Sequence, residues 1–430
     1  MTEDAIYRAF RRSTGVSTDS RSIRPGDLFF ALKGPSFNGN RFASAALDAG
    51  AVAAVIDDSS YSSEGTIMTD DSLVALQQLA GRVRDNINAR VIAITGTNGK
   101  TTTRELVAAV LSKRFTLCAS QRNLNNQIGL PLTMVNANPD SEVIVVEMGA
   151  KKEGDIMELC NIARPDTGII TNIGKAHIEG FGSVEAVVRT KSELFRYLGA
   201  TGGTAFYNEE DSVVSQLAEK YVENLVPYNC TGDIKLITET RRGELMLSGR
   251  LISGEREFPF RTNLFGAHNH HNIRAAIAIA ISMGMGEDEV LSAIASYNPS
   301  NNRSQVMRTA TNVVICDSYN ANPVSLTSAL RSFAGLGGEN KVAIIGDMLE
   351  LGSVASDEHE AVVRLVTDIG PECTLFVGPL FSELALLYGF RGFPDVAELR
   401  SYLERSPLRD STILVKGSNG IGLSAIYDLL

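Results

Sequence analysis

The sequence lacks the features that mark membrane and secreted proteins. Its longest purely apolar candidate, residues 275–281, is far shorter than the roughly 20 residues of a membrane span. The opening MTEDAIYRAFRRSTG has no apolar core of the signal-peptide kind. The 5 cysteines form no CxxC pair, which argues against a structural zinc site and a disulfide framework. We therefore expect a cytoplasmic protein with reduced thiols and no membrane insertion.

Basic charge is also scarce. The chain has 40 Lys and Arg against 50 Asp and Glu, for a net charge of −10. A general nucleic-acid binder would carry a basic surface, so we expect no nucleic-acid partner. An acidic chain can still hold a phosphorylated ligand through helix N-termini and a few cations. The 430 residues favour three domains, at roughly 150 residues per domain.

Apolar runs alternate with helical stretches, which predicts an α/β fold in three domains. Residues 1–88 carry the strand-like GDLFFAL, AVAAVID and TIMT, the helical NRFASAALDAG and a helix over 72–88, as in a small α/β domain. Residues 89–298 continue with VIAIT, EVIVVE and GIITNIG between helices. Continuous apolar strands of this kind predict a parallel sheet that is covered on both faces.

The end of the central domain has a different pattern of polar and apolar residues. Over residues 202–265 polar and apolar residues alternate, as in GELMLSGRLI and REFPFRT, which predicts an antiparallel ribbon. Helices over 269–283 and 287–296 follow, and the polar YNPSNN marks a joint. In residues 299–430 the strands NVVICD, VAIIGD, TLFVG and TILVKG are each followed by a helical segment, which predicts a Rossmann-like third domain.

The stretch VIAITGTNGKTTTRELVAAVL has the order of a phosphate-binding loop, namely strand, glycine loop and helix. Its spacing is unusual because Ile94 stands where the standard pattern has a glycine, and the extra glycine is Gly96. Backbone N–H groups would meet phosphates, Lys100 would reach the β and γ oxygens, and Thr101 would hold magnesium. The alternative is a plain strand-to-helix turn with a glycine cap. The surrounding strand and amphipathic helix favour nucleotide binding.

Three further residues are candidates for the same site. Glu147 ends the strand EVIVVE, where ligand crevices open in parallel sheets, although it could merely cap the next helix. His177 follows another strand end, and a lone histidine is more often structural. The apolar residues of SVEAVVRTKSELFRYL recur at helical spacing and place Lys191 on the buried face. Lys191 either lines the site or extends its ammonium past its own stem to water.

The run GAHNHHN places His268, His270 and His271 together. Three histidines could hold a transition metal, but side chains at positions i and i+2 of a helix point apart. A role for these residues in such a site is therefore the weaker interpretation.

The form TGTNGKT resembles the Mur ligase superfamily, whose ATP-dependent members join amino acids or peptides to a carboxylate. The further motifs stand in the order typical of the branch that joins D-alanyl-D-alanine to UDP-N-acetylmuramoyl-tripeptide. They are NLNNQIGLPLT, VVEMGAKKEGDI, ITNIGKAHIEGFGS, TKSELF, GAHNHHN, DSYNANP, IGDMLELG and LVKGS. STDSRSIRPGDLFFALKG resembles the nucleotide-sugar-binding segment of that branch. The DNPR motif of the branch that adds the third peptide residue is absent.

The resemblance implies a monomeric ligase that uses ATP and two Mg²⁺ ions and forms an acyl phosphate. It implies catalytic roles for Lys100, Lys191 and His177. It implies metal ligation by Thr101, Glu147, His177 and Lys191, the last as a carbamylated lysine. It implies that Asn272 contacts the adenine. The full set of nucleotide-binding residues that it implies is Gly96, Thr97, Asn98, Gly99, Lys100, Thr101, Thr102, His268, Asn269, Asn272, Arg303 and Asp317.

The same resemblance implies two substrates besides ATP, namely UDP-N-acetylmuramoyl-tripeptide and D-alanyl-D-alanine, and assigns binding residues to them. Their candidate residues are Ser20, Arg21, Asn123, Asn125, Asn126, Tyr319, Asn320, Asn322 and Lys416. Both asparagine runs could instead form self-capping turns. The sequence departs from the family pattern at Cys316, where many relatives carry an acid, and at KGSNGIG, where KGS-Arg is commoner.

Two alternatives stay open from the sequence. One is another Mur-type ligase that adds a single amino acid. The other is a regulatory ATP-binding protein or switch with a phosphate loop and no ligase chemistry, although the guanine-reading NKxD motif is missing. Phosphate release from ATP that depends on both UDP-N-acetylmuramoyl-tripeptide and D-alanyl-D-alanine would distinguish a ligase from such a protein.

Overall fold

The computed structural model describes residues 2–121, 123–174, 181–231, 234–239 and 244–430. It has the three-domain α/β fold that the sequence predicts. Every sheet described lies within one of the predicted segments, while the divisions after residues 88 and 298 themselves stay predictions. Within the part of the chain that the structure describes, no helix has both the length and the apolar character needed to cross a bilayer.

The N-terminal domain is built on a small parallel sheet. Its strands are β1 (Gly15–Ser17), β2 (Asp27–Phe30), β5 (Ala53–Ile56) and β6 (Thr66–Met68). A separate hairpin consists of β3 (Lys33–Gly34) and β4 (Phe37–Asn38). The sheet order is β1-β2-β5-β6, and β3 pairs with β4. The helices are α1 (Thr2–Arg12), which the sequence did not predict, α2 (Ala43–Asp48) and α3 (Ser72–Asn86). Asp71 caps α3 by accepting hydrogen bonds from Leu73 N and Val74 N.

Six parallel strands form the central sheet, and their burial explains the continuous apolar runs. They are β7 (Arg90–Thr95), β8 (Leu117–Ala119), β9 (Val143–Glu147), β10 (Thr167–Ile170), β11 (Thr204–Tyr207) and β12 (Asn224–Pro227). Their order is β12-β11-β10-β7-β9-β8, so β7 lies between β9 and β10. The helices described here are α4 (Lys100–Leu111), α5 (Gly129–Val135), α6 (Asp155–Ala163), α7 (Val184–Thr201), α8 (Ser212–Tyr221), α9 (His270–Ser282) and α10 (Glu287–Ser296).

The antiparallel ribbon begins later than the sequence predicts. It consists of β13 (Cys230–Thr231), β14 (Ile234–Glu239), β15 (Met246–Ser253) and β16 (Arg256–Phe265). The prediction of a ribbon from residue 202 was wrong because β11 and β12 extend the parallel sheet. Helix α8 lies between these two strands, and a helical crossover brings neighbouring strands parallel.

The N-terminal and central domains share one apolar core. Val16 and Phe30 of the first domain belong to the same buried cluster as Val91 and Met134 of the second. The Asn136 side chain reinforces this junction, because its Oδ1 accepts from Val16 N (2.8 Å) and its Nδ2 donates to Val16 O (3.0 Å). These two domains are therefore joined by packing and not only by the chain.

The C-terminal domain has a six-stranded sheet in which only the first strand is antiparallel. Its strands are β17 (Gln305–Arg308), β18 (Val313–Asp317), β19 (Lys341–Gly346), β20 (Cys373–Val377), β21 (Arg391–Phe393) and β22 (Thr412–Lys416), in the order β17-β18-β22-β19-β20-β21. Its helices are α11 (Pro323–Ala334), α12 (Ala355–Ile369), α13 (Pro379–Tyr388) and α14 (Val396–Arg405). The prediction of a helical segment after β22 holds only as short 3₁₀ turns, Asn419–Ile421 and Leu423–Leu429.

Candidate active site

A cavity of about 580 Å³ opens between the central and C-terminal domains. Three of its residues stand at carboxyl ends of parallel strands, namely Glu147 on β9, Asp317 on β18 and Lys416 on β22. Ligand crevices of open α/β sheets form at such ends. The predicted site residues that line the cavity are Gly96, Thr97, Asn98, Gly99, Lys100, Thr101, Thr102, Asn123, Asn125, Asn126, Glu147, Lys191, His268, Asn269, Asn272, Arg303, Asp317, Tyr319, Asn320, Asn322 and Lys416.

Two of the described predicted residues are not part of this lining. Ser20 and Arg21 lie in a 3₁₀ turn of the N-terminal domain, where the Arg21 guanidinium is exposed and pairs with Asp19 at 2.7 Å. Their assignment to the nucleotide sugar stays a prediction. His177, the predicted catalytic residue and metal ligand, lies outside the described residues.

The phosphate-loop interpretation is supported by the backbone between β7 and α4. Gly96 and Gly99 have φ angles of 142° and 79°, in the region that favours glycine. A Cβ on Gly96 would lie 2.0 Å from Thr171 Oγ1, and one on Gly99 would lie 2.5 Å from Asn272 Oδ1. The shifted glycine is thus required by its neighbours as well as by its conformation. Lys100 Nζ donates to the carbonyls of Gly96 (2.8 Å) and Thr97 (3.0 Å), which holds the ammonium over the loop.

Thr101 and Glu147 form a buried pair behind the loop. Thr101 Oγ1 donates to Glu147 Oε2 at 2.9 Å, while Asn125 Nδ2 donates to the other carboxylate oxygen at 2.8 Å. Arg104 Nη1 also lies 3.6 Å from Glu147 Oε2, so a buried cation accompanies the carboxylate. Hydroxyl and carboxylate oxygens are the ligands that Mg²⁺ prefers. In an octahedron with bonds of roughly 2.0–2.1 Å, neighbouring ligand oxygens lie about 2.9 Å apart. The distance between Thr101 Oγ1 and Glu147 Oε2 matches this spacing. The residues present therefore fit a magnesium ion.

Lys191 lies on the buried face of α7, as the sequence predicts. The residue is 4% exposed, and its Nζ lies 3.5 Å from Thr95 Oγ1 at the end of β7. Burial lowers the pKa of Lys191 to about 7, and the charge of Lys100 adds to this shift while that of Glu147 opposes it. The alternative of an ammonium that extends into bulk water does not describe this side chain, which faces the cavity.

The C-terminal side of the cavity carries two basic residues, Arg303 and Lys416, and two acidic ones, Asp317 and Glu350. Asp317 Oδ1 accepts from Ser304 N (2.9 Å), and Asp317 Oδ2 accepts from Lys416 Nζ (2.7 Å). The guanidinium carbon of Arg303 lies 3.6 Å from the centre of the Tyr319 ring. Among the described residues, the buried Nε of Arg303 has no hydrogen-bond acceptor. An unsatisfied buried donor is costly, so this atom fits an anionic ligand such as a phosphate.

The GAHNHHN run separates its histidines. His268 lines the cavity with its Nε2 3.1 Å from Ser304 Oγ, whereas His270 Nδ1 bonds to Thr238 Oγ1 of the ribbon. Asn272 lies against Gly99 of the loop, and its Oδ1 accepts from Thr103 Oγ1 of α4 at 3.0 Å. Burial lowers the pKa of His268, which leaves a neutral ring at this position.

The asparagine runs combine capping with contacts between domains. Asn126 Oδ1 accepts from Gly129 N at 2.9 Å, and Asn322 Oδ1 accepts from Ser325 N at 2.9 Å as the cap of α11. Both residues therefore cap turns, and their assignment to the substrates stays a prediction. Asn322 Nδ2 also donates to Asn98 Oδ1 of the phosphate loop at 2.6 Å, so it links the C-terminal and central domains.

Tyr319 makes a second such link, because its hydroxyl donates to Asn123 Oδ1. The joint between the two domains is anchored separately. Glu105 of α4 accepts from the Tyr297 hydroxyl (2.9 Å) and from Asn301 Nδ2 (3.3 Å). The C-terminal domain therefore contacts the phosphate loop, Asn123 of the first asparagine run and helix α4, which starts with Lys100.

Sequence reasoning missed several residues that line the cavity. They are Gln127, Lys151, Asp155, Ser304, Ser325, Leu349, Glu350, Leu351 and Asn419, besides glycine and other apolar positions. A usable signal existed for some of them, since VVEMGAKKEGDI and IGDMLELG each begin at the end of a buried strand. Both motifs were recognised in the sequence, but no role was attached to their later residues.

Comparisons with known proteins agree with this geometry. Residues 94–280 match the Mur ligase middle domain, residues 302–419 match the Mur ligase glutamate ligase domain, and residues 12–95 match the Mur ligase family catalytic domain. The chain belongs to the Mur ligase family. Its members are ATP-dependent ligases.

Individual named relatives match the chain over almost its full length. The UDP-N-acetylmuramoyl-tripeptide–D-alanyl-D-alanine ligase of Synechocystis sp. is 32% identical over 97% of this chain and 92% of the relative. The ligase of the same name from Escherichia coli is 32% identical over 96% of this chain and 93% of the relative. The crystal structure of MurF from Acinetobacter baumannii superimposes with a TM-score of 0.86 at 26% identity, covering 99% of this chain and 98% of that one.

Proposed function

We propose that this Mur ligase joins D-alanyl-D-alanine to UDP-N-acetylmuramoyl-tripeptide, in the last cytoplasmic step of peptidoglycan precursor synthesis, with cleavage of ATP to ADP and phosphate. Relatives that carry this name match the chain over almost its full length and theirs. The observation that carries the proposal is one cavity that combines a predicted phosphate loop from one domain with Arg303 and Lys416 from another. Such an arrangement suits a reaction that activates one substrate and receives a second.

The chemistry requires activation because a carboxylate is anionic and its oxide is a poor leaving group. Transfer of the γ-phosphoryl group of ATP to the tripeptide carboxylate gives an acyl phosphate, which an amine attacks with release of phosphate. Two anions must approach each other in the first step, so cations are needed around them. Lys100 on the loop and Arg303 on the opposite domain supply positive charge within the cavity.

Thr101 and Glu147 would hold magnesium, with His177 as a further predicted ligand. When bound, the metal would withdraw charge from the phosphates of ATP. Two such ions stay a prediction. We propose in addition that Lys191 is carbamylated, which turns a cation into an anion that can support the metal site. The geometry favours this modification because a buried amine with a pKa of about 7 is largely neutral under slightly alkaline conditions.

Each substrate is proposed to reach the cavity from its own part of the chain. Residues 1–88, with Ser20 and Arg21, would bind the nucleotide sugar, residues 89–298 would bind ATP, and residues 299–430 would complete the ATP site and receive the dipeptide. Contacts such as Asn322 to Asn98 would close the site against water, which protects an acyl phosphate from hydrolysis. The expected monomeric state and cytoplasmic location stay predictions.

The decisive experiment measures phosphate release from ATP. The proposal predicts turnover only when UDP-N-acetylmuramoyl-tripeptide and D-alanyl-D-alanine are both present. ATP hydrolysis that is indifferent to both would favour a regulatory ATP-binding protein. Turnover with a single amino acid in place of the dipeptide would favour another Mur-type ligase.

Replacing Asn272 by alanine should weaken ATP binding about tenfold and leave the UDP-muramoyl substrate nearly unaffected. The amide lies beside the loop, and loss of a buried hydrogen-bonding group leaves its nucleobase partner unpaired. Titration calorimetry with each ligand measures both affinities, and Asn298→Ala at an exposed position is the matched control. Equal weakening of the two ligands would show that Asn272 serves a different pocket.

A further inference from the structure

The loop at residues 347–351, which we name the wall loop, follows strand β19 and contributes Leu349, Glu350 and Leu351 to the cavity. It carries the IGDMLELG motif, which the proposed chemistry does not use. Strand β19 pairs with β22, whose last residue is Lys416 of the cavity. The wall loop therefore lies at the same carboxyl edge of the C-terminal sheet as the residues that face the nucleotide loop.

Asp347 fixes the start of the wall loop. It is 1% exposed, and its two carboxylate oxygens accept from the backbone of α13, Oδ2 from Leu380 N (3.0 Å) and Oδ1 from Phe381 N (2.8 Å). Gly378 precedes that helix with a φ of 115°, and a Cβ there would lie 2.4 Å from Asp347 Cγ. The carboxylate thus caps a helix that can approach it only because residue 378 is a glycine.

His359 fixes the next residue. It is fully buried on α12, where its Nε2 accepts from Met348 N at 3.0 Å and its Nδ1 donates to Ala355 O at 2.7 Å. The ring packs on Phe381 with centroids 4.4 Å apart. These two bonds specify one neutral tautomer. Burial lowers the pKa of His359 in keeping with a neutral ring, although its bond to Ala355 and the charges of Asp347 and Glu358 oppose the shift.

The remainder of the wall loop is held in a conformation that it would not adopt alone. Leu349 N donates to Ser418 Oγ at 2.9 Å. Glu350 has a φ of 64°, in the left-handed region that residues other than glycine rarely occupy. A strained residue of this kind persists only where its surroundings impose it, and such residues concentrate at functional sites.

We propose that His359 and Asp347 are positioning residues that hold the wall loop as the surface receiving the dipeptide amine. The assignment rests on the proposed function. Neither side chain lines the cavity, so both act through the loop backbone. The loop presents the acidic side chain of Glu350, whose charge is opposite to that of the ammonium of an incoming dipeptide. The residues assigned to the nucleotide, including Arg303 and Asp317 of the same domain, all lie outside the wall loop, so a change in the loop should affect the dipeptide and not the nucleotide.

The test uses two substitutions of His359 that separate its hydrogen bonds. His359→Gln places an amide oxygen near the position of Nε2 and can still accept from Met348 N, whereas His359→Asn keeps only a group near Nδ1. We expect the Asn variant to lose about tenfold in kcat/KM for D-alanyl-D-alanine, through a raised KM, while the Gln variant stays within about threefold. ADP affinity, measured by calorimetry on the full chain, should be unchanged in both.

A second variant keeps the test independent of changes to the buried ring. Ser418→Ala removes the acceptor for Leu349 N and should raise the KM for the dipeptide without altering ADP affinity. Hydrogen exchange at Met348 N should be faster in His359→Asn than in His359→Gln. Unchanged dipeptide kinetics in both His359→Asn and Ser418→Ala, or equal losses of dipeptide and ADP binding, would overturn the assignment. Failure of the unsubstituted protein to release phosphate in response to the dipeptide would overturn the proposed function itself.

Discussion

Replacing Lys100 by alanine should lower the rate of dipeptide-dependent phosphate release by about a thousandfold or more. Its Nζ stands over the loop on the carbonyls of Gly96 and Thr97, where the phosphates of ATP would be held. Burial lowers the pKa of Lys100 while Glu147 opposes this shift, and an approaching anion would favour the charged form further. The alanine variant removes that charge from the place where negative charge gathers.

The fold should survive this substitution because other contacts shape the loop. Thr171 Oγ1 donates to Asn98 O at 2.6 Å, and Asn98 N donates to Asn172 Oδ1 at 3.0 Å. We expect the thermal unfolding midpoint to change by no more than about 3 °C. Lys113→Ala, at an exposed position just past the other end of the same helix, is the matched control and should be fully active. Near-normal turnover by the Lys100 variant, with unchanged thermal stability, would refute the assignment of the loop.

The phosphate loop could be predicted from sequence because its determinants are local. A buried strand, two glycines and a lysine at the start of a helix are all within reach of each other along the chain. The reason for the unusual spacing was not local, however. Gly96 is needed because Thr171, directly after the end of the neighbouring strand β10, leaves no room for a Cβ, and that neighbour is known only from the sheet order.

The burial of Lys191 was also predictable, because helical periodicity alone places it among apolar residues on one face of α7. Periodicity failed for residues 202–227, where the choice between a ribbon and a longer parallel sheet depended on recognising helix α8 between two short strands. Short strands carry little periodic signal. The crossover, and not the strand composition, determined how they pair.

The wall loop shows a third kind of limit. Its motif was visible, yet the left-handed backbone of Glu350 and the buried contact between His359 and Met348 are products of tertiary packing. A lone histidine within a helix gives no indication that its ring accepts a hydrogen bond from a cavity loop. The same holds for Asn126 and Asn322, whose capping roles could be named as an alternative but not chosen before the turns were seen.

Replacing Lys191 by alanine should make the enzyme nearly inactive, and added formate or acetate should restore part of the activity. The proposed carbamate would be an anion beside the metal ligands, and a short carboxylate can occupy the space that the side chain leaves. Lys191→Arg should also fail, since a guanidinium does not take up carbon dioxide and would repel a cation. An unmodified ammonium here would be a buried charge close to the charge of Lys100, which costs several kcal/mol.

The modification can be observed directly and has a defined pH dependence. Carbamylation joins the neutral amine to carbon dioxide and releases one proton, so it requires the deprotonated form. Because the pKa of Lys191 is lowered to about 7, that form increases as the pH rises through this value. We expect a carbonyl signal from ¹³C-labelled bicarbonate that grows between pH 6 and 8 and is absent from Lys191→Ala, whereas Lys220→Ala, at an exposed position of α8, should retain it. An unmodified ammonium in a fully active, magnesium-loaded sample would exclude the carbamate and leave Lys191 as a cation that contacts substrate phosphates.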